Sequence, residues 1–149
     1  RLSVSPAISG YLSRIRELED CKGIVVDLSD TTAMDSTTLG LIAKIGICCR
    51  ETFQHTLSIV SPREDIRRLL LSMSMEEVSI ITREPLTGSA TFNELTGKDG
   101  SEEVLLKEVL EAHKTLMSID ADNETRFKDL VDRLQKEQDD RASSVAKTG

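Results

Sequence analysis

The sequence predicts an α/β fold: a mostly parallel sheet with helices, followed by a long C-terminal helix or a helical hairpin. Three observations carry this. Short β-branched runs recur at Ile24-Val25-Val26-Asp27-Leu28, Thr56-Leu57-Ser58-Ile59-Val60 and Val78-Ser79-Ile80-Ile81. The stretches between them repeat apolar residues every three or four positions, so strands and helices alternate. From Ser101 the strands stop and one helical stripe takes over, through Leu105, Val109, Ala112, Leu116 and Ile119, then Phe127, Leu130 and Leu134.

Taken in order, Ser5-Pro6 starts a first helix, with Ser as cap and Pro where its missing N–H is harmless. Ile8, Leu12, Ile15 and Leu18 form its apolar stripe, which ends near Asp20. The run from Ile24 to Leu28 is nearly unbroken, as in a strand covered on both faces. A polar connection over 29–35 leads to a helix whose apolar face holds Leu39, Leu41, Ile42, Ile45 and Cys49. Gly40 and Gly46 inside it each cost about 1 kcal/mol relative to Ala. Two readings stay open: close approach to the sheet or a neighbouring helix, or a flat strip for a partner helix. After the second strand, Ser61-Pro62-Arg63-Glu64 combines a proline start with a capping box, and Ile66, Leu69, Leu70 and Met73 follow as a stripe.

Residues 1–86 therefore form the α/β unit, 87–100 a linker containing Gly88, Gly97 and Gly100, 101–137 a helical extension, and 138–149 a flexible tail with little apolar content. Asp120-Ala121-Asp122-Asn123 is either a polar turn on one long helix or the bend of a hairpin. Too few heptads are present for a coiled coil, which favours packing onto the α/β unit over dimerisation.

Composition narrows the function. The 149 residues carry a formal net charge of −7, one Tyr, three Phe and no Trp. Acidity disfavours phosphate backbones and the aromatic scarcity disfavours base stacking, so nucleic acid is not an expected partner. No apolar run reaches the ~18 residues of a membrane span, so membrane insertion is not expected. Cys21, Cys48 and Cys49 have no CxxC spacing and read as small buried hydrophobes in a reducing cytosol. Neither a Walker loop, GxGxxG nor HExxH occurs, and His55 and His113 lie far apart in sequence, with His113 placed on a helix face. Lys44 and Arg50 read as a solvated face. No enzyme activity, metal or cofactor is expected.

The segment Asp27-Leu28-Ser29, followed by a short loop and then Asp35-Ser36-Thr37-Thr38-Leu39-Gly40 at the start of a helix, resembles the STAS domain of anti-sigma factor antagonists. That family has Asp-Ser-(Ser/Thr)-Gly-Leu-Gly here, and Thr38 stands where its first Gly would be. The resemblance covers roughly residues 1–85, and the helical extension is similar to that of a subset of proteobacterial STAS regulators. STAS domains begin with a strand pair ahead of the first helix, so a chain opening at Arg1-Leu2 is expected to be N-terminally truncated or to have a reduced sheet.

The resemblance implies a cytoplasmic partner-switching protein. Its partners would be an anti-sigma-type serine/threonine kinase and an opposing serine phosphatase. Ser36 would be the phosphorylation site, with Thr37 and Thr38 as alternative hydroxyls, and Asp35, Ser36, Thr37, Thr38, Leu39 and Gly40 would form the partner-binding surface. Asp35 or Ser36 is also expected to cap the helix. Two alternatives remain: a non-switching STAS subunit of a larger assembly such as a lipid-transport complex, and a small flavodoxin-like enzyme, which would need a crevice at the strand C-termini.

Overall fold

A computed structural model describes residues 23–84 and 101–148, with side chains described up to residue 144. The expected first helix, Cys21 and the 87–100 linker lie outside the described residues.

Leu57–Val60, all four residues buried, forms the middle strand β2, between β1 (Val25–Asp27) and β3 (Ser79–Thr82). Both pairings are parallel. Val26 lies opposite Ile59, which in turn lies opposite Ile81. The apolar run of β2 is what a parallel strand with neighbours on both sides requires. β1 does not share that coverage. Among the described residues it is an edge strand, with Val26 buried and Val25 and Asp27 exposed. The α/β class and the parallel sheet are therefore present, although helix outweighs strand.

The helix α1 (Ser36–Cys48) is buried around most of its circumference, through Leu39, Gly40, Leu41, Ile42, Ala43, Ile45, Gly46 and Cys48. A helix buried on several sides must be covered by more than one layer, and both glycines mark where the layers touch. A Cβ on Gly46 would stand 2.5 Å from the Val78 carbonyl oxygen, and one on Gly40 would stand 2.3 Å from that of Ala112. Both positions are thus sites of close approach within the chain. The helix ends in a π-helical turn, Cys49–Phe53, closed by Gln54 at φ 58°. Cys48 and Cys49 are both buried, as expected of small hydrophobes. Arg50 is exposed, as expected of a solvated face, and its guanidinium donates to the Glu77 carbonyl at 3.0 Å.

The helix α2 (Glu64–Ser72) starts later than its capping-box reading. Its N-cap is Arg63, with no side-chain cap bond. Ser61 instead extends β2. Its amide donates to the Thr82 carbonyl at 2.8 Å, its side chain is fully buried, and its hydroxyl has no hydrogen-bond partner. Sheet pairing has taken the residue that a cap would have used. The Arg63 guanidinium donates to both Asp65 carboxylate oxygens, at 3.0 and 2.8 Å. These bonds, helped by the Ile66 amide, hold the Asp65 carboxyl down to about 2 from its ordinary 3.8. A depressed folded-state value means that this small, exposed contribution is complete above 3.8 and lost as pH falls through about 2. Carboxyl NMR should give Asp65 a midpoint near 2, returning toward the ordinary value in Arg63→Ala.

The C-terminal region is a hairpin. Ser101 caps α3 (Glu102–Ile119) by accepting from the Val104 amide at 3.2 Å. Asp120 turns extended (φ −155°, ψ 143°), and α4 (Ala121–Thr148) packs back along α3. The bend is tied to the α/β unit. Asn123, fully buried, donates to the Met73 and Leu116 carbonyls at 2.9 and 3.0 Å, and the Ser74 hydroxyl donates to Asp120 at 2.7 Å. Ala112, Leu116 and Phe127 join the same core as Val26, Leu39, Ile45 and Ile59, so the hairpin packs on its own α/β unit. The stretch from residue 138, expected as a tail, is helical through Thr148. Arg141 donates to Glu137 one turn back (3.2 Å) and to Glu102 at the start of α3 (3.3 Å), which supplies the tie that apolar content does not.

Candidate functional site

The connection from β1 to α1 carries the sequence motif. Asp27 accepts from the Ser29 amide at 2.9 Å and from its hydroxyl, and the Thr31 amide donates to the Leu28 carbonyl at 3.0 Å. Short side chains that bond to nearby backbone favour such turns. Asp35 then takes the extended conformation of an N-cap (φ −92°, ψ 168°), and its carboxylate accepts from the Thr38 amide at 2.8 Å. Of the two candidate caps, Asp35 fills the role. Ser36, the first helical residue, is left free to use its hydroxyl elsewhere.

That hydroxyl is 2.8 Å from Nε2 of His113, a residue 77 positions away on α3. Nδ1 of the same ring is 2.7 Å from the Val109 carbonyl, which can only accept. In the neutral ring the proton therefore sits on Nδ1, Nε2 accepts, and Ser36 Oγ–H donates. His113 is 2% exposed and meets the Phe127 ring edge-on at 5.0 Å between centroids. It lies on a helix face, as expected, but on the buried one, where it is the polar centre of the contact among α1, α3 and α4. A Ser–His hydrogen bond is also the first element of an activated nucleophile. Here, however, the group orienting the imidazole is a carbonyl of its own helix, not a carboxylate.

Two further contacts line up with it at helical spacing. Gly40, four residues on, lies beneath the Ala112 backbone, and Lys44, four further, pairs with Glu111 at 3.1 Å. Lys44 therefore faces α3 and is not simply a solvated residue.

The expected partner surface divides accordingly. Asp35 is exposed, while Ser36, Thr37 and Thr38 are half-buried. Leu39 and Gly40 are buried, Leu39 in the core and Gly40 under α3, so neither presents an accessible contact in this structure. Sequence reasoning missed His113. Its nearest signal was its position within the Val109, Ala112, Leu116 stripe, and nothing local linked it to Ser36.

Among the described residues no cluster of His, Cys, Asp or Glu is arranged to hold a metal ion, and no helix is long and apolar enough to cross a membrane. A shallow charged depression on α4, lined by Arg133, Lys136, Glu137, Asp140, Arg141 and Ser144, shares no residue with the motif. The chain matches no protein-family model, no curated protein and no solved structure.

Proposed function

We propose that this chain is a cytoplasmic partner-switching protein of the STAS, anti-sigma factor antagonist type. In this reading it binds an anti-sigma-type serine/threonine kinase while Ser36 is unmodified, releases it on phosphorylation, and is reset by a serine phosphatase. The observation that carries the reading is the division of labour at the start of α1. Asp35 supplies the cap, which leaves the Ser36 hydroxyl at the first helical position within the Asp-Ser-Thr motif. A helix N-terminus tolerates phosphate because its free amides and dipole are positive. The roughly −2 of charge that phosphate brings would sit beside Asp35 and strongly alter the surface a partner reads. The accessible part of that surface is Asp35, Thr37 and Thr38 with the exposed loop residues Ser29 and Asp30.

The test is direct. With the kinase partner and ATP, mass mapping should place phosphate on Ser36, and modification confined to Thr37 or Thr38 would overturn the assignment. In calorimetry, Ser36→Ala should keep kinase affinity and Ser36→Asp should lose more than about tenfold, since a repulsive or desolvated contact charge costs on the order of 1.4 kcal/mol or more. Equal affinities would instead favour a STAS subunit that does not switch.

A further inference from the structure

We propose that phosphate on Ser36 opens the seam between α1 and α3, so that modification of Ser36 and docking of α3 across it exclude each other. The inference rests on Ser36 being a phospho-acceptor and extends that reading to the C-terminal hairpin, which becomes the element that the modification moves.

The seam runs along one face of α1: the Ser36 hydroxyl on His113, Gly40 beneath Ala112, and Lys44 on Glu111. Phosphorylation cleaves the γ-phosphoryl bond of ATP to release ADP, forms an Oγ–P bond on Ser36 and expels the hydroxyl proton. The lost proton is the one that Nε2 accepts. In the present orientation of the Ser36 side chain, a phosphorus atom and three oxygens would stand where a single 2.8 Å hydrogen bond now spans the gap.

The ring has no route of retreat within the closed form. It is 2% exposed, held at Nδ1 by Val109 and backed by Phe127. Protonating Nε2 would restore a donor but create no volume. Nor can α3 compensate by settling closer to α1, because backbone already meets backbone at Gly40. The remaining movement is outward. The bend stays anchored through Asn123 on Met73 and Ser74 on Asp120, so α3 opens from its N-terminal side while the hairpin remains attached.

The chain's two histidines provide the readout, since His55 is exposed and His113 is buried. Phosphoserine is installed at position 36 during translation, with no kinase involved. The labelling rate of His113 by diethyl pyrocarbonate is measured relative to that of His55, in the unmodified chain, in Ser36→Ala and in the phosphoserine chain. Hydrogen exchange of β2 monitors the fold. The expected result is a rise of about tenfold or more in relative His113 labelling for phosphoserine, with β2 still protected and Ser36→Ala within about threefold of the unmodified chain.

Three results would each overturn the proposal: His113 as protected with phosphoserine as without it, Ser36→Ala opening the seam equally, or β2 losing protection together with His113. Because the phosphate is placed independently of any kinase, failure here leaves the kinase reading standing. Failure of a kinase to modify Ser36 would likewise leave this coupling intact.

Discussion

Deleting residues 101–149 is expected to lower the urea midpoint of the remaining chain steeply and to broaden its transition. The hairpin closes the core; it is not attached beside it. Leu110 and Leu116 are 2% and 0% exposed, and Phe127 and Val131 are each 8% exposed. Burying one such side chain contributes about 1.5–3 kcal/mol. Deletion would also bring to the surface the part of α1 that α3 now covers around Gly40, and would remove the Asn123 bonds to Met73 and Leu116. The combined loss rivals the roughly 5–15 kcal/mol that holds an ordinary domain together. With no Trp in the chain, far-ultraviolet circular dichroism is the practical probe. Leu116→Ala in the full chain offers a graded version, with an expected loss of about 2–5 kcal/mol. An unchanged midpoint and slope for the shortened chain would show that the hairpin is energetically independent, contrary to the shared core.

What the sequence made legible was what local pattern encodes. The alternation of β-branched runs with helical stripes was enough to place three parallel strands and the helices between them, because a buried strand and an amphipathic helix each leave a period. Glycines inside an apolar helix left two readings, close approach within the chain or a strip for a partner helix, and the contacts with Ala112 and Val78 favour the first. The choice between a long helix and a hairpin did not follow, because Asp120-Ala121-Asp122-Asn123 suits either. It is settled by bonds from Asn123 and Asp120 to residues near position 73. The Ser61 cap was misread because strand pairing with Thr82 competes for the same residue. Most consequentially for the candidate site, the Ser36–His113 contact joins two segments far apart in sequence, and no periodicity connects a helix start to one imidazole. Long-range polar pairing is a property of packing. Here packing buried Leu39 and Gly40 and brought a buried histidine against Ser36.

Gly40→Ala is expected to destabilise the chain by about 1–3 kcal/mol, the range for forcing extra volume into a packed interior. The opposing term is helix propensity, where Ala in place of a mid-helix Gly gains about 1 kcal/mol. Sterics should win because of what the new Cβ would meet. The nearest atoms are the Ala112 carbonyl oxygen at 2.3 Å, its carbon at 2.6 Å and its Cα at 2.8 Å. All three are backbone, so no side-chain rotation relieves the overlap, and α3 must move as a body. Three further substitutions separate this cause from others. Ala112→Gly should not rescue Gly40→Ala, because the conflicting atoms remain when the methyl is removed. Gly23→Ala, where nothing lies within 4 Å, should change stability by no more than about 0.5 kcal/mol. The larger Gly40→Val should exceed the loss from Ala, since it adds volume where even a Cβ already overlaps backbone. Chemical denaturation of the four variants decides the matter. A Gly40→Ala chain as stable as its parent would mean that α3 yields freely at this crossing. The backbone contact at Gly40 would then not be what holds α3 against α1.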